Sequence, residues 1–190
     1  MSSSDAQPSD PREEIIEHLP ALRAFALNLT RNSSAADDLV QDTLLKAWTK
    51  FDLYRQGTNL RAWLFTILRN SFYSERRKAA REVADVDGIL AGRLATKPDH
   101  DGRLALSDLA KAFAKLPDEQ REVLVLVGAL GFSVEEAAAT CGCAVGTVKS
   151  RANRGRRALA QMLGLEAGEG MDLTDSATRA VMSAQQAATS

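Results

Sequence analysis

The sequence predicts an all-α chain of two small helical domains joined by a flexible linker. Three observations carry this. Apolar residues recur at helical spacing along most of the chain, and no stretch alternates in the manner of a strand. The rhythm stops across 82–103, where Gly88, Gly92, Pro98 and Gly102 sit among more acids than bases. At 190 residues, with 45% apolar and 26% charged side chains, the chain suffices for one domain or two small ones, each with a packed core.

Residues 1–12 are rich in Ser, Asp and Pro and read as disordered. From Glu13 to Arg31, the residues Ile15, Ile16, Leu19, Leu22, Ala26 and Leu29 share a face, which predicts one helix. Asn32-Ser33-Ser34 punctuates the chain. A second helix is expected over about 35–50, with Val40, Leu44, Ala47, Trp48 and Phe51 inward. A third is expected over about 59–81, burying Leu60, Trp63, Leu64, Ile67 and Leu68. Both tryptophans are thus assigned to the core of a first domain, 13–81. The linker 82–103 is expected to hold one short helix near Ile89–Leu94. A second domain, 104–164, has helical patterning near 104–115, 118–130, 133–141 and 145–163. Beyond it, Glu166, Glu169, Asp172 and Asp175 mark an acidic, mobile tail over 165–190.

The end of the second domain reads as a helix-turn-helix. Ser133-Val134-Glu135-Glu136 has the capping-box pattern, and Gly142 stands where only glycine turns left-handed without strain. The helix that follows carries Val145, Val148, Ala152, Gly155, Leu159 and Leu163 on one side. Its other side shows Thr147, Lys149, Ser150, Arg151, Asn153, Arg154 and Arg157. A short helix, a tight turn and a longer helix with a basic face make the major-groove reading arrangement.

The formal charge is −1, yet the charges are segregated. Residues 61–81 hold six bases against Glu75 alone, and residues 147–161 hold five bases and no acid. Two basic segments suit two contacts with one polyanion. Several classes are excluded. The longest apolar run, Val123 to Phe132, is about half of the roughly 20 residues that a membrane span needs. The start lacks the basic and apolar regions of a signal peptide, and Cys141 and Cys143 fit a reducing cytoplasm as turn and core residues. Neither histidine has metal-ligand spacing or a neighbouring nucleophile. No metal, cofactor or enzymatic activity is expected.

The first domain carries two further faces. The second helix presents Asp38, Gln41, Asp42, Leu45 and Thr49, a polar face suited to a protein partner. The third presents Arg61, Thr66, Arg69, Asn70, Tyr73, Arg76 and Arg77, next to a loop, 51–59, that mixes aromatics, a base and glycine. Aromatic rings beside cations are what unstacked bases need. Tyr54 and Tyr73 fall off the apolar faces and are the candidates to contact bases.

These residues resemble a known family. Ala36-Asp37-Asp38-Leu39-Val40-Gln41-Asp42-Thr43-Leu44-Leu45-Lys46-Ala47-Trp48 is similar to region 2.2 of bacterial sigma factors of the extracytoplasmic-function (ECF) type. Residues 59–70, from Asn59-Leu60-Arg61-Ala62-Trp63 to Arg69-Asn70, resemble their regions 2.3–2.4. Leu116-Pro117-Asp118-Glu119-Gln120-Arg121-Glu122-Val123 and Gly146-Thr147-Val148-Lys149-Ser150-Arg151 resemble region 4. Gly131-Phe132-Ser133-Val134-Glu135-Glu136 and the Cys141–Arg151 segment are further similar to the general-stress-response (EcfG) subgroup.

The resemblance implies a soluble cytoplasmic protein, monomeric when free, whose partners are the β′ clamp and β flap of core RNA polymerase and promoter DNA. Asp38, Gln41, Asp42 and Lys46 would bind polymerase. Tyr54, Asn59, Arg61, Arg69, Asn70, Tyr73, Arg76 and Arg77 would read the −10 element as single strand. Thr147, Lys149, Ser150, Arg151, Arg154 and Arg157 would read the −35 element as duplex. An anti-sigma factor of NepR type, released by a PhyR-type response regulator, would hold the protein inactive. The rival reading is a sigma-mimicking decoy that binds an anti-sigma factor and never touches DNA; a plain helix-turn-helix repressor is disfavoured by the region 2-like motifs.

Overall fold

Pro20 divides what periodicity predicts as one helix. A computed structural model describes residues 11–55, 57–84 and 104–164. In it α1 (Pro11–Glu17) stops before His18, and α2 (Leu19–Thr30) starts anew with the proline in its first turn. Pro20 has no N–H to give the carbonyl four residues back, and its ring crowds that carbonyl. The single helix expected over 13–31 is therefore two. Arg31 ends α2 with φ +55°, a left-handed conformation that few non-glycine residues adopt.

The Asn32 side chain accepts the Ala35 amide at 2.9 Å and starts α3 (Ser33–Thr49). This helix buries Ala36, Leu39, Val40, Thr43 and Ala47. Trp48, expected in the core, is 59% exposed. Each residue advances about 100° around a helix, and the buried arc centres on Ala36, Thr43 and Ala47, which turns Trp48 outward beside Gln41 and Leu45. The indole of Trp63, by contrast, is half-buried against the core. A 3₁₀ turn, Phe51–Leu53, leads to α4 (Leu60–Ala84), begun by Asn59, whose side chain accepts the Ala62 amide at 2.9 Å. Leu22, Phe25, Leu64, Phe65 and Leu68 are fully buried at the centre of this unit.

The second unit comprises α5 (Leu104–Lys115), α6 (Asp118–Leu124), a π-helical segment Val125–Ala129, α7 (Val134–Cys141) and α8 (Val145–Met162). The helix expected over 118–130 thus changes pitch halfway, with the Leu130 amide bonding the Val125 carbonyl five residues back. The capping box forms as expected. Ser133 Oγ accepts the Glu136 amide at 3.0 Å, and Glu136 accepts the Ser133 amide at 2.7 Å. Gly142 is left-handed at φ +62° and turns α7 into α8. Gly155 lets α8 meet α6 closely, since a Cβ there would lie 2.8 Å from Leu124 Cδ1. Pro11 and Arg12, expected in a disordered N-terminus, instead begin α1. The short helix predicted near Ile89–Leu94, residues 1–10 and the tail 165–190 lie outside the described residues.

The two units do not stand apart. α6, the π segment and α7 lie along α2 and α4, and Phe132 packs against Phe65 across the seam, the rings tilted by 57° with centroids 5.0 Å apart. Among the described residues no strand occurs and no helix is long and apolar enough to cross a membrane.

Candidate nucleic-acid interface

On α3, opposite the buried stripe, Asp38 and Gln41 line the outer side, with Leu45 at 65% exposure beside them. Asp42 is half-buried and accepts the Lys46 ammonium at 2.5 Å. That ammonium also donates to Ser71 Oγ of α4 at 3.0 Å, so Asp42 and Lys46 brace the helix pair as well as edging the outer face. Trp48, which periodicity assigns to the core, joins Leu45 as a second exposed apolar member of this surface.

The residues expected to meet −10 DNA split three ways. Tyr54 packs on Phe51 and Trp63, with centroids 5.6 and 5.3 Å away, and its hydroxyl donates to the Thr58 carbonyl at 2.5 Å. The ring thus shapes the loop from within a small aromatic cluster. Asn70 and Arg77 face outward. The others, Asn59, Arg61, Arg69, Tyr73 and Arg76, face the second unit. Asn59 donates to Glu136, and Arg61 donates to the Leu130 carbonyl with its guanidinium 4.5 Å from the Phe132 ring centroid. Arg69 Nε lies 2.5 Å from Glu122 Oε1, and the Tyr73 hydroxyl donates to Glu122 Oε2 at 3.2 Å. Arg76 pairs with Asp118 at 3.1 Å.

Asp118 and Glu122 hold this contact from the second unit, and the sequence pattern did not single them out. Glu122 is fully buried. A signal was present: it stands four residues before Leu126 on the same face, a carboxylate in a core position. A charge there requires a partner, and Arg69 supplies it. Asp118 gathers Arg76, Arg121 at 3.0 Å and Arg31 at 3.4 Å. Arg121, itself buried, also reaches Asn28 at 3.1 Å and the Leu116 carbonyl at 3.1 Å. Burial alone would raise the Asp118 carboxyl. Hydrogen bonds from Arg76 and Arg121, with the charges of Arg121 and Arg31, bring it below the usual carboxylate range instead. Burial, with the Glu122 charge second, pushes the Tyr73 phenol up to about 12. Burial also opposes charge on Arg69, yet Glu122 outweighs it and raises the guanidinium.

On α8, Lys149, Ser150, Arg154 and Arg157 are exposed and Thr147 is half-buried. Arg151 differs. Its guanidinium is tied to Glu119 of α6 at 2.7 Å with only 17% of its side chain exposed, and it lies 3.9 Å from Cys143 Sγ. Cys141 is buried, and burial, then the Glu122 charge, pushes its thiol up to about 12.

Two family models match this chain: Sigma-70 region 2 over residues 15–82 and Sigma-70, region 4 over residues 106–159. An ECF RNA polymerase sigma factor, EcfG of Rhodopseudomonas palustris, is 50% identical across 90% of this chain and 94% of its own. This chain belongs to the ECF sigma factors. Its first unit is sigma region 2 and its second region 4. The crystallised sigma factor RpoE of Bartonella quintana, in complex with the anti-sigma factor NepR, is 52% identical. It superposes with a TM-score of 0.72 over 84% of this chain and 99% of its own. CnrH, solved with the cytosolic domain of CnrY, is 31% identical with a TM-score of 0.57, covering 82% of this chain and 90% of its own. As a sigma factor the protein binds core RNA polymerase and promoter DNA through regions 2 and 4 and directs transcription initiation. Sigma factors are regulatory proteins as a class. A match along nearly the whole of an ECF sigma factor does not favour the decoy reading.

Proposed function

We propose that this sigma factor docks on the β′ clamp of core polymerase through the outer face of α3, using Asp38, Gln41, Leu45 and Trp48, with Asp42 and Lys46 at its edge. The observation that carries this is the pairing of exposed apolar and polar residues on one helix face, 65% of Leu45 being open to solvent. The loop before α4 and the helix itself, with Arg61, Arg69, Asn70, Tyr73, Arg76 and Arg77, take the −10 element as a single strand. Flipping a base costs a few kcal/mol, and stacking of about 1–3 kcal/mol per base with phosphate neutralisation offsets it. The exposed row Lys149, Ser150, Arg154 and Arg157 on α8 enters the −35 major groove, with Thr147 near the base edges and Arg151 held at the rim by Glu119. Region 4 also meets the β flap. The chain works by binding alone, in the cytoplasm, for stress-response genes, and a NepR-type anti-sigma protein restrains it, as the relative crystallised with NepR supports.

Purified core polymerase supplied with this protein should give run-off transcripts from the promoters it serves. Gln41→Lys with Leu45→Lys should abolish holoenzyme formation while moving stability by no more than about 0.5 kcal/mol per site, as exposed substitutions do. Normal polymerase binding by the double variant in a pull-down would remove the α3 assignment.

A further inference from the structure

The recognition helix α8 carries five bases, Lys149, Arg151, Arg154, Arg156 and Arg157. Among the described residues, Arg151 alone of these meets a carboxylate. Each residue advances about 100° around a helix, so Arg151 stands about 60° from the buried Val148, between the core arc and the outward row of Ser150, Arg154 and Arg157. Its Nη2 lies 2.7 Å from Glu119 Oε2 of α6, and its Nη1 lies 3.9 Å from Cys143 Sγ in the turn before α8. Both terminal nitrogens are therefore tied, and the stem is packed, with 17% of the side chain exposed. Glu119 is the open partner, with 64% of its side chain in solvent. A pair with one member so exposed contributes little to stability, so the consequence of Glu119 lies in what it does to Arg151.

We propose that Glu119 is a specificity-determining positioning residue for −35 recognition: it withholds the Arg151 guanidinium from DNA phosphates, so that sequence-independent attraction stays low relative to the reading of base edges. The proposal rests on the reading of α8 as the −35 helix. Each phosphate that a base neutralises releases counterions and adds about 0.9 to the slope of log affinity against log salt, whatever the sequence. Phosphates repeat along both strands, so a long side chain freed on the flank of α8 finds one in many registers of unrelated duplex. On the promoter, base contacts fix a single register, and the freed side chain meets only what lies opposite that one position. Discrimination is the ratio of the two affinities, and releasing Arg151 raises the wrong member more than the right one.

The test uses holoenzyme assembled from core polymerase and the full chain, with two fluorescein-labelled duplexes read by anisotropy at several salt concentrations. One carries a promoter that the wild-type holoenzyme transcribes in the run-off assay; the other is the same fragment with only its −35 block scrambled. Glu119→Gln keeps the shape of the side chain and removes its charge. This variant should bind the scrambled duplex about threefold to tenfold tighter, with a salt slope steeper by about one unit, and change less than twofold on the intact promoter. In an Arg151→Gln background the same change at Glu119 should move scrambled binding less than twofold, because no guanidinium remains to release. An equal gain with and without Arg151 would mean that Glu119 acts through its own charge alone, which overturns the proposal. Weaker binding of both duplexes by Glu119→Gln, with a lower melting midpoint and an unchanged salt slope, overturns it too, as the mark of a merely structural bond. Failure of the underlying readings shows elsewhere. Absence of a run-off transcript removes the sigma reading, and equal binding of both duplexes by wild type removes the α8 reading and this proposal with it. A wild type that discriminates, beside a Glu119→Gln variant that discriminates as well, overturns the role of Glu119 alone.

Discussion

His18 stands at the break before Pro20, part-buried, and its imidazole is held below the ordinary value of 6.5 by burial first and by the Arg61 charge second. Arg61 is itself turned toward Phe132 and the Leu130 carbonyl, so the histidine feels the region that closes the seam. A base whose folded pKa is depressed favours the fold when neutral. Stability is therefore fully present above the unfolded value of about 6.5 and is lost progressively as pH falls from there toward the folded value. Melting midpoints at pH 7.5 and pH 5.5 should differ more for wild type than for His18→Gln; an equal difference would show that His18 is silent. Single residues also mark what the chain spells out and what it conceals. Phe65 and Leu68 are both fully buried, and Leu68 declares itself core by spacing. Trp48 misleads because its spacing of eight residues from Val40 suggests the same face, while the buried arc of α3 centres on Ala36, Thr43 and Ala47 and leaves it outside.

Helix boundaries were legible where side chains encode them. Ser133 and Glu136 announce the start of α7 and Gly142 its end, and the structure places them there. Pro20 was a boundary of equal clarity, hidden by an apolar rhythm that runs through it without registering a missing donor. The π segment left no periodic trace, because one extra residue in a turn is set by packing around Val125–Ala129 rather than by composition. Two glycines in the turn and recognition helix have opposite needs. Gly142 has φ +62°, whereas Gly146 lies within α8 with an ordinary helical φ and open space where an added methyl group would stand. Gly142→Ala should then destabilise the protein by about 1–2 kcal/mol. Gly146→Ala should stabilise it by about 0.4–1 kcal/mol through the unfolded chain. Urea denaturation of both variants checks the pair, and a loss at Gly146 equal to that at Gly142 would refute the backbone argument.

At the scale of the molecule, the two regions were legible separately and their union was not. Each has an amphipathic pattern sufficient for its own core, Leu22, Phe25, Leu64 and Leu68 in one and Val123, Leu126, Val148 and Leu159 in the other. A seam between them follows no period; it arises from shape and charge complementarity between residues about 50 to 90 positions apart, such as Arg69 with Glu122 and Asn28 with Arg121. Phe132 is its apolar centre, packed on Phe65 at 5.0 Å with the Arg61 guanidinium over the ring. While the seam holds, neither region can unfold without exposing it, so heating the wild type should give one calorimetric transition. Truncating a buried phenylalanine costs about 3–5 kcal/mol, more than half-exposed ion pairs of about 0–1 kcal/mol each restore. Phe132→Ala should therefore uncouple the regions and split the transition into two, the region 2 component falling least because Phe65 loses one ring neighbour but keeps Phe25 at 5.2 Å. One transition merely shifted downward would mean that the two regions share a single indivisible core.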